Sequence, residues 1–550
     1  MKQIYTFFFV ILGLTAISQN TVGLLSYEPW NSLDGYNLIY PHNQSNVYLL
    51  NNCGEIVHMW EDEFGFKPGN TAYLTEDGNL LKTKRPSDIS SDAIWAGGGG
   101  AIVELRDWDN NLIWDFELNN DLERIHHDIA MKPNGNVLMI TWEYISYDEA
   151  EAAGRDTALM SQNALWPDKI IEYNPSLDSI VWEWRSWDHL IQDLDPNKPN
   201  FGVISENPGK INLNWDTTSG SADWLHANAL DFNPDNGHIV MSVPTFHEFW
   251  IIDNSTTTEE AAGSTGGFAG KGGDLLYRWG NPMTYDQGDS TDQKLFYQHD
   301  VHYIGDFLDP WHPDAGKIGL FNNRIGPDYS AGTVMVPAYD MYTNIYEKEN
   351  GRFLPEDVER NVFHPDRTSI YSTGLSSFQI LNNDNFLISA GRTGYTAEIT
   401  PDNEVVWEYK TPIVGGNIAS QGDTLTINQN LTFRFKRLPP DFPAFQGKDL
   451  EPKGYLELNA NEDFCAQILP VSDLLDMDLK VYPNPTVGNI VVEWTSLKPQ
   501  NFKIFDIYGI ERISIMGMGG KKYIDLSSLN SGIYFLKAGE AKAVKITVSR

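Results

Sequence analysis

The sequence predicts an all-β fold, a six-bladed β-propeller followed by a small C-terminal β-sandwich. Three observations carry that expectation. A motif of apolar residues ending in an aromatic recurs along the first four-fifths of the chain. Tight polar turns that open apolar runs interleave with it. Near residue 466 the texture changes to short strands at regular spacing.

The recurring motif is Glu55 to Trp60, Asn111 to Trp114, Ser179 to Trp184, Leu275 to Trp279 and Glu404 to Tyr409. A sixth, degenerate copy is expected within 334–346, ending on Tyr346. Counted between Trp60, Trp114, Trp182, Trp279, Tyr346 and Trp407, the spacings are 54, 68, 97, 67 and 61 residues. The interleaved turns are Asp77-Gly78-Asn79, Asn134-Gly135-Asn136, Asn236-Gly237 and Asn383-Asp384-Asn385. Asn-Gly and Asp-Gly pairs supply the positive φ that short hairpin turns require. Each unit therefore reads as a hairpin, a further turn and a strand ending in an aromatic. A single four-stranded sheet cannot bury both faces, so the units must stack about an axis. Their extra length falls in polar insertions at 193–221, 254–273 and 347–368.

The chain opens with Lys2, an apolar run from Ile4 to Ala16 and the small residue Ser18, the pattern of a signal peptide over residues 1–18. The run is shorter than the roughly 20 apolar residues that span a bilayer. Export without stable membrane insertion is the expectation. The formal net charge is −36, and 466–550 holds ten Lys+Arg against eight Asp+Glu, so the acidity belongs to the region before it. A negative field of that size argues against nucleic acid as a partner. The two cysteines, Cys53 and Cys465, lie near the two ends of the large region, and in an exported protein they are expected to form a disulfide. Domain boundaries follow: signal peptide 1–18, propeller 19–465, linker 466–478 and C-terminal domain 479–550.

The C-terminal segment resembles the sorting domain of type IX secretion substrates. Tyr482-Pro-Asn-Pro485 with Gly488, Asp506-Ile-Tyr-Gly509, Asp525-Leu-Ser and Ser531-Gly-Ile-Tyr534 carry the likeness. The resemblance implies a Bacteroidetes-type source and the type IX secretion machinery as a partner. It also implies removal of this domain or attachment at the outer cell surface.

Histidines recur at corresponding places in the units: His126-His127-Asp128, His226 within Asp223-Trp-Leu-His226-Ala-Asn228, and His299 and His302 within Gln298-His299-Asp300-Val-His302. At the start of the innermost strand of successive blades, they would line one mouth of a central channel. With these motifs, Asn322-Asn323-Arg324 and the unit 398–409, the large region resembles the arylsulfotransferase family, six-bladed propellers that move a sulfuryl group from an aryl sulfate to another phenol without a nucleotide donor. The resemblance implies His226, His299 and Arg324 as catalytic residues, with the histidines on the sulfuryl group and phenol and the arginine on the sulfuryl oxygens. It places His127, Asn228, His302 and Arg392 as substrate-binding residues, and a small phenolic compound or aryl sulfate as substrate. The family also uses a transiently sulfated histidine, expected in 370–379. That stretch contains none, and the nearest is His364. An extracellular propeller that binds a ligand or surface glycan without turnover is the alternative.

Other chemistries are excluded by what the sequence lacks. It has no Cys/His spacing for a metal. Gly97–Gly100 is not followed by the Lys of a phosphate-binding loop. No serine stands in a Gly-x-Ser-x-Gly elbow. No metal or other cofactor is implied.

Overall fold

The computed structural model describes residues 20–63, 65–88, 92–305, 307–468, 479–494, 500–507, 510–517, 520–538 and 543–550. The expected signal peptide, most of the expected linker, and Tyr508 and Gly509 of the sorting motif lie outside these residues. The described chain is all-β, with many small sheets, and its α-helices are three short ones, Tyr147–Ala153, Thr258–Ala261 and Asp463–Ile468.

Six antiparallel sheets of four or five strands account for most of the region up to Leu438. In chain order their first strands are Phe66–Leu74, Glu123–Met131, Ala229–Asn233, His299–Tyr303, Ser377–Ile380 and Thr432–Leu438. The first five each begin a meander of neighbouring strands. Thr432–Leu438 instead pairs with Tyr36–Pro41, so this sheet joins the two ends of the region. Gly23–Tyr27 adds a fifth strand to the sheet begun by Ser377–Ile380, pairing with Val405–Lys410.

The turns between strands are the ones the sequence marks. Gly78 and Gly135 have φ of 82° and 84°, left-handed values that cost glycine little. The sheet begun by His299–Tyr303 departs from expectation. Its fourth strand is Arg360–Val362, and not the run ending at Tyr346. Strand Ala331–Met335 stops just before Pro337, which cannot donate to a ladder. The chain then folds a small hairpin, Tyr339–Asp340 on Ile345–Tyr346. Tyr346 keeps an aromatic role, packing 4.9 Å from the Tyr277 ring.

The recurring tryptophan has a common task. The indole N–H of Trp60 donates to the Asp107 carbonyl, Trp184 to Gly273, Trp279 to Pro355 and Trp407 to Asn52. Each bond crosses from one sheet to the sheet that follows, while the ring fills the space between them. A buried indole needs such a partner.

The first strands of the sheets lie side by side. Phe66–Leu74 packs on Glu123–Met131, which packs on Ala229–Asn233; the series continues through His299–Tyr303, Ser377–Ile380 and Thr432–Leu438, which returns to Phe66–Leu74. Aspartates, two of them buried, tie neighbours together. Asp128 accepts from the Leu230 amide at 2.9 Å, Asp231 from Tyr303 at 2.8 Å, and Asp300 from Phe378 at 2.9 Å. Arg434 sits among them, its guanidinium 2.6 Å from Asp128 and 3.0 Å from Asp300. These carboxylates, with the Tyr73 hydroxyl, outweigh its burial and hold it charged.

Cys53 and Cys465 form a disulfide with Cα atoms 5.7 Å apart. It lies in an apolar cluster with Leu24, Leu33, Trp407 and Leu456. The C-terminal segment forms two sheets, Lys480–Tyr482 with Asn489–Glu493 and Lys521–Asp525, and a four-stranded one from Gln500–Asp506 to Val544–Val548. Ile490, Val492, Phe502, Ile504, Leu536 and Ile546 form their common core. Glu511–Gly517 is the edge strand of the four-stranded sheet, pairing with Gln500–Asp506.

Candidate active site

Three of the recurring histidines converge. The rings of His127 and His226 are 4.6 Å apart and steeply inclined. Those of His127 and His299 each face Phe433, at 6.0 and 6.3 Å. The backbone explains how they get there. His127 and His226 have φ of 50° and 55°, and Tyr297 and Asp300, flanking His299, have 61° and 54°. Non-glycine residues in this region are uncommon and concentrate at functional sites. Here each one turns the chain within or just ahead of a first strand, where side chains of three sheets come together. Gly98, itself at φ 87°, clears the space, because a Cβ there would stand 2.0 Å from the His127 ring. Gly98, Gly99 and Gly100 of the four-glycine run therefore serve close packing.

The three imidazoles differ in how readily they take a proton. His299 is 4 % exposed, and its Nδ1 is 2.9 Å from Asn323 Oδ1 and 3.1 Å from the Tyr297 carbonyl. Both partners are acceptors, since the Asn323 amide nitrogen is engaged with the carbonyls of Ser372 and Leu375. Nδ1 therefore carries the proton and Nε2 presents a lone pair. Burial, with the nearby His226 and Arg434, pushes His299 down to about 3 despite these hydrogen bonds. His127 is also held neutral, by burial and by the neighbouring His226 and His126. His226 moves the other way. Burial disfavours its charge, but the Asp223 carboxylate, 2.5 Å from Nδ1, outweighs that and raises it. Among the described residues, no Nε2 of the three has a hydrogen-bond partner.

Cations border the cluster. Arg324 is exposed, donates to the Thr373 carbonyl at 2.9 and 3.1 Å, and lies 4.0 Å over the Tyr297 ring. Arg392 reaches Asn428 at 3.1 Å, while its Nε is buried without a partner. A Cβ on Gly374 would be 3.3 Å from the Arg392 guanidinium and 3.8 Å from the His299 ring, which puts these groups around one point. Among the described residues, neither Arg324 nor Arg392 has a carboxylate partner within ion-pair distance. In so acidic a chain, unpaired arginines beside buried histidines suit a bound anion.

The other sequence candidates sit differently. Asn228 is buried and donates to the Gln298 carbonyl at 2.9 Å, tying the His226 segment to that of His299. His302 bonds the Asp300 carbonyl at 2.7 Å and lines a small pocket with Phe307, Gln379 and Lys436. Its neighbour there is Lys436, and the triad of rings does not include it. His364 is engaged at both nitrogens, with the Asp366 carbonyl at 2.7 Å and the Tyr395 hydroxyl at 3.1 Å. In 370–379, Leu375 and Ser376 take the positive φ that His127 and His226 take elsewhere, 60° and 95°. The serines there are committed: Ser372 donates to Gly374 at 2.7 Å and Ser377 to Phe435 at 3.1 Å.

Residues that sequence reasoning left without a role include Asp223, Asn323, Phe433 and His247. The first two stand inside quoted motifs, so the signal was present. His247 is held down at about 4 by burial and by Arg324, and accepts the Tyr297 amide at 3.1 Å. Phe433 carries no sequence signal, being one aromatic among many.

Comparison with known proteins follows this geometry. Residues 42–424 match the arylsulfotransferase (ASST) family, and 480–549 match the secretion system C-terminal sorting domain. Curated proteins give no match. Among solved structures, a protein of unknown function from Bacteroides caccae is 10 % identical, with a TM-score of 0.38, over 74 % of this chain and 99 % of that one. Virginiamycin B lyase from Staphylococcus aureus is 12 % identical, with a TM-score of 0.29, over 62 % and 69 %. The sorting domain marks the protein for export by the type IX route, to the medium or the outer cell surface, and the chain as a whole belongs to the arylsulfotransferase family.

Proposed function

We propose that this protein transfers a sulfuryl group from an aryl sulfate to a second phenol, without a nucleotide donor, at the cluster of His127, His226 and His299. The scaffold is read as a six-bladed propeller spanning 19–465, preceded by a signal peptide over 1–18 and followed by a linker and a removable sorting domain. The side-by-side series of first strands, returning from Thr432–Leu438 to Phe66–Leu74, supports that closure.

The observation that carries the functional reading is the pairing of unlike imidazoles. Sulfuryl transfer resembles phosphoryl transfer, in which positioning and charge neutralisation do most of the work. His226, made more basic by Asp223, holds a proton to give; His299, held neutral, can accept one. When the aryl S–O bond breaks, its electron pair goes to the phenolate oxygen, which takes the proton of His226. The acceptor phenol gives its proton to Nε2 of His299 as its oxygen bonds sulfur. Arg324, with Arg392, binds the sulfuryl oxygens. Proton transfer by placed groups contributes about 10²–10⁴-fold.

A second reading, ligand binding without turnover, draws support from the lack of histidine in 370–379. One assay separates the two: phenolate release from 4-nitrophenyl sulfate, with and without added phenol. Release that rises with phenol supports transfer. Saturable binding with no release supports the silent propeller.

A further inference from the structure

His127 does not stand alone. Its Nδ1 is 2.9 Å from Nδ1 of His126. Nε2 of His126 is 3.1 Å from Asp168. All three residues are buried, and the His126 ring lies flat on Trp142 at 3.9 Å and 6°. Asp168 is fixed in turn by the Ala227 amide at 2.6 Å, one residue from His226. The row runs carboxylate, imidazole, imidazole, and ends at an Nε2 that has no partner among the described residues.

Proton positions in the row follow from donors and acceptors. Oδ1 of Asp168 lies 3.1 Å from Nε2 of His126, close enough to pair but outside hydrogen-bond alignment; the nearby negative charge favours hydrogen on that nitrogen, and Nδ1 of His126 then offers a lone pair. Nδ1 of His127 must then be the donor, which leaves Nε2 of His127 bare. This is the logic of a nucleophile oriented by a base that is itself oriented by an acid. The His126 ring cannot serve, because both of its nitrogens face partners.

We propose that His127 is the covalent nucleophile of this protein and that His126 and Asp168 are its positioning residues, a role the stretch 370–379 cannot fill. This rests on the transferase reading above. In the step, Nε2 of His127 bonds sulfur as the aryl S–O bond breaks, and the released phenolate takes the proton of His226. The sulfated imidazole passes its Nδ1 proton to Nδ1 of His126, and His126 passes its Nε2 proton to Asp168. Atoms and charge balance, and the sulfated ring ends neutral. Asp168 is suited to receive the proton, since burial raises its carboxyl even against the pull of His126. In the second half the protons return as the acceptor phenol, deprotonated by His299, takes the sulfuryl group.

The test is to trap the intermediate in the whole protein. The wild-type chain is mixed with 4-nitrophenyl sulfate without acceptor, quenched in alkali, cut with trypsin and mapped by mass spectrometry. Cleavage after Arg124 and Arg155 isolates residues 125–155, because Lys132 precedes a proline, whereas His299 falls in 295–317 and His226 in 211–271. The expected result is one added SO₃ on 125–155, at His127, located within the peptide by fragmentation. His127→Asn should abolish it and lower kcat by at least ~10²-fold, while His299→Ala keeps the label. Asp168→Asn should lower kcat with KM unchanged and shift the pH dependence of labelling. A label on 295–317 or 211–271, or phenol-stimulated turnover with no label anywhere, overturns the role of His127 and leaves the transferase reading intact. Absence of any phenolate release overturns the transferase reading itself.

Discussion

Nδ1 of His299 stands 2.9 Å from Oδ1 of Asn323, and the amide nitrogen of the same asparagine holds the carbonyls of Ser372 and Leu375. One buried side chain thus fixes the tautomer of a histidine and the path of the loop beside it. Asn323→Ala would leave buried acceptors unpaired, at a cost of about 1–3 kcal/mol for such a group. Asn323→Asp is more informative. His299 is held at about 3, so its Nε2 is bare at any working pH. A carboxylate at 323 favours the imidazolium and raises that value. A protonated His299 cannot accept a proton, so kcat/KM should acquire an acid limb that the wild type lacks above pH ~4. A pH–rate profile of the two proteins checks this.

His226 gives the opposite limb. Its value lies above 6.5 because the Asp223 interaction outweighs burial. In its proposed role as the acid that protonates the leaving phenolate, it is competent below its own pKa and fails as pH rises through it. Asp223→Asn removes the anion, leaves burial dominant and moves the alkaline limb to lower pH. The shift should shrink for 4-nitrophenyl sulfate relative to phenyl sulfate, since a good leaving group needs less protonation.

Arg324 combines a stacked guanidinium with two bonds to one carbonyl, at 2.9 and 3.1 Å. An ammonium cannot hold that geometry and also present a planar fork to sulfuryl oxygens. Arg324→Lys should therefore behave nearly as badly as Arg324→Ala, losing about 10-fold or more in kcat/KM, the equivalent of roughly 1.4 kcal/mol. Steady-state kinetics on a single aryl sulfate checks it.

The disulfide ties the turn between strands Val47–Asn51 and Ile56–Trp60 to the end of the large region, across a sequence separation of 412 residues. Cross-links over long loops act chiefly on the unfolded chain, and removal of a native one costs about 2–5 kcal/mol in typical cases. Cys465→Ser, or reduction of the wild type, should lower the melting temperature with little change in KM, since the active-site cluster lies in other elements. Calorimetry with and without reductant reads the effect.

The sequence made some of this visible and hid the rest for physical reasons. Trp60, Trp184, Trp279 and Trp407 were legible as a repeat because each meets the same requirement, a donor aimed at the next sheet. Their spacing misled at Tyr346, where the aromatic packing persisted but Pro337 ended the strand early. His127, His226 and His299 could be listed from recurrence, but their different affinities for a proton could not. Those depend on whether the partner across space is Asp223, Asn323 or another histidine. The relation of Asp168 to His126 spans 42 positions and leaves no local pattern. His302, at the same motif as His299, faces Lys436 because a register shift in the strand pairing separates the two.

The contrast between His299 and Thr373 is the sharpest check on where the chemistry sits. Thr373 lies beside Arg324, whose guanidinium donates to its carbonyl, and His299 lies beside the next residue, Gly374. That contact uses the backbone, so it survives replacement of the side chain. A hydroxyl is also a weak nucleophile unless a base activates it, and no histidine is hydrogen-bonded to Thr373 among the described residues. Thr373→Ala should therefore change kcat by less than about 3-fold, within the range of an ordinary partly exposed substitution of ~0.5 kcal/mol. His299→Ala removes the proton acceptor and should cost about 10²–10⁴-fold in kcat, with the larger part of the loss in phenol-dependent turnover. Joint loss of His226 and His299 should leave no phenol-stimulated release. Equal effects at 373 and 299, or turnover that outlives both histidines, would place the reaction elsewhere in the molecule.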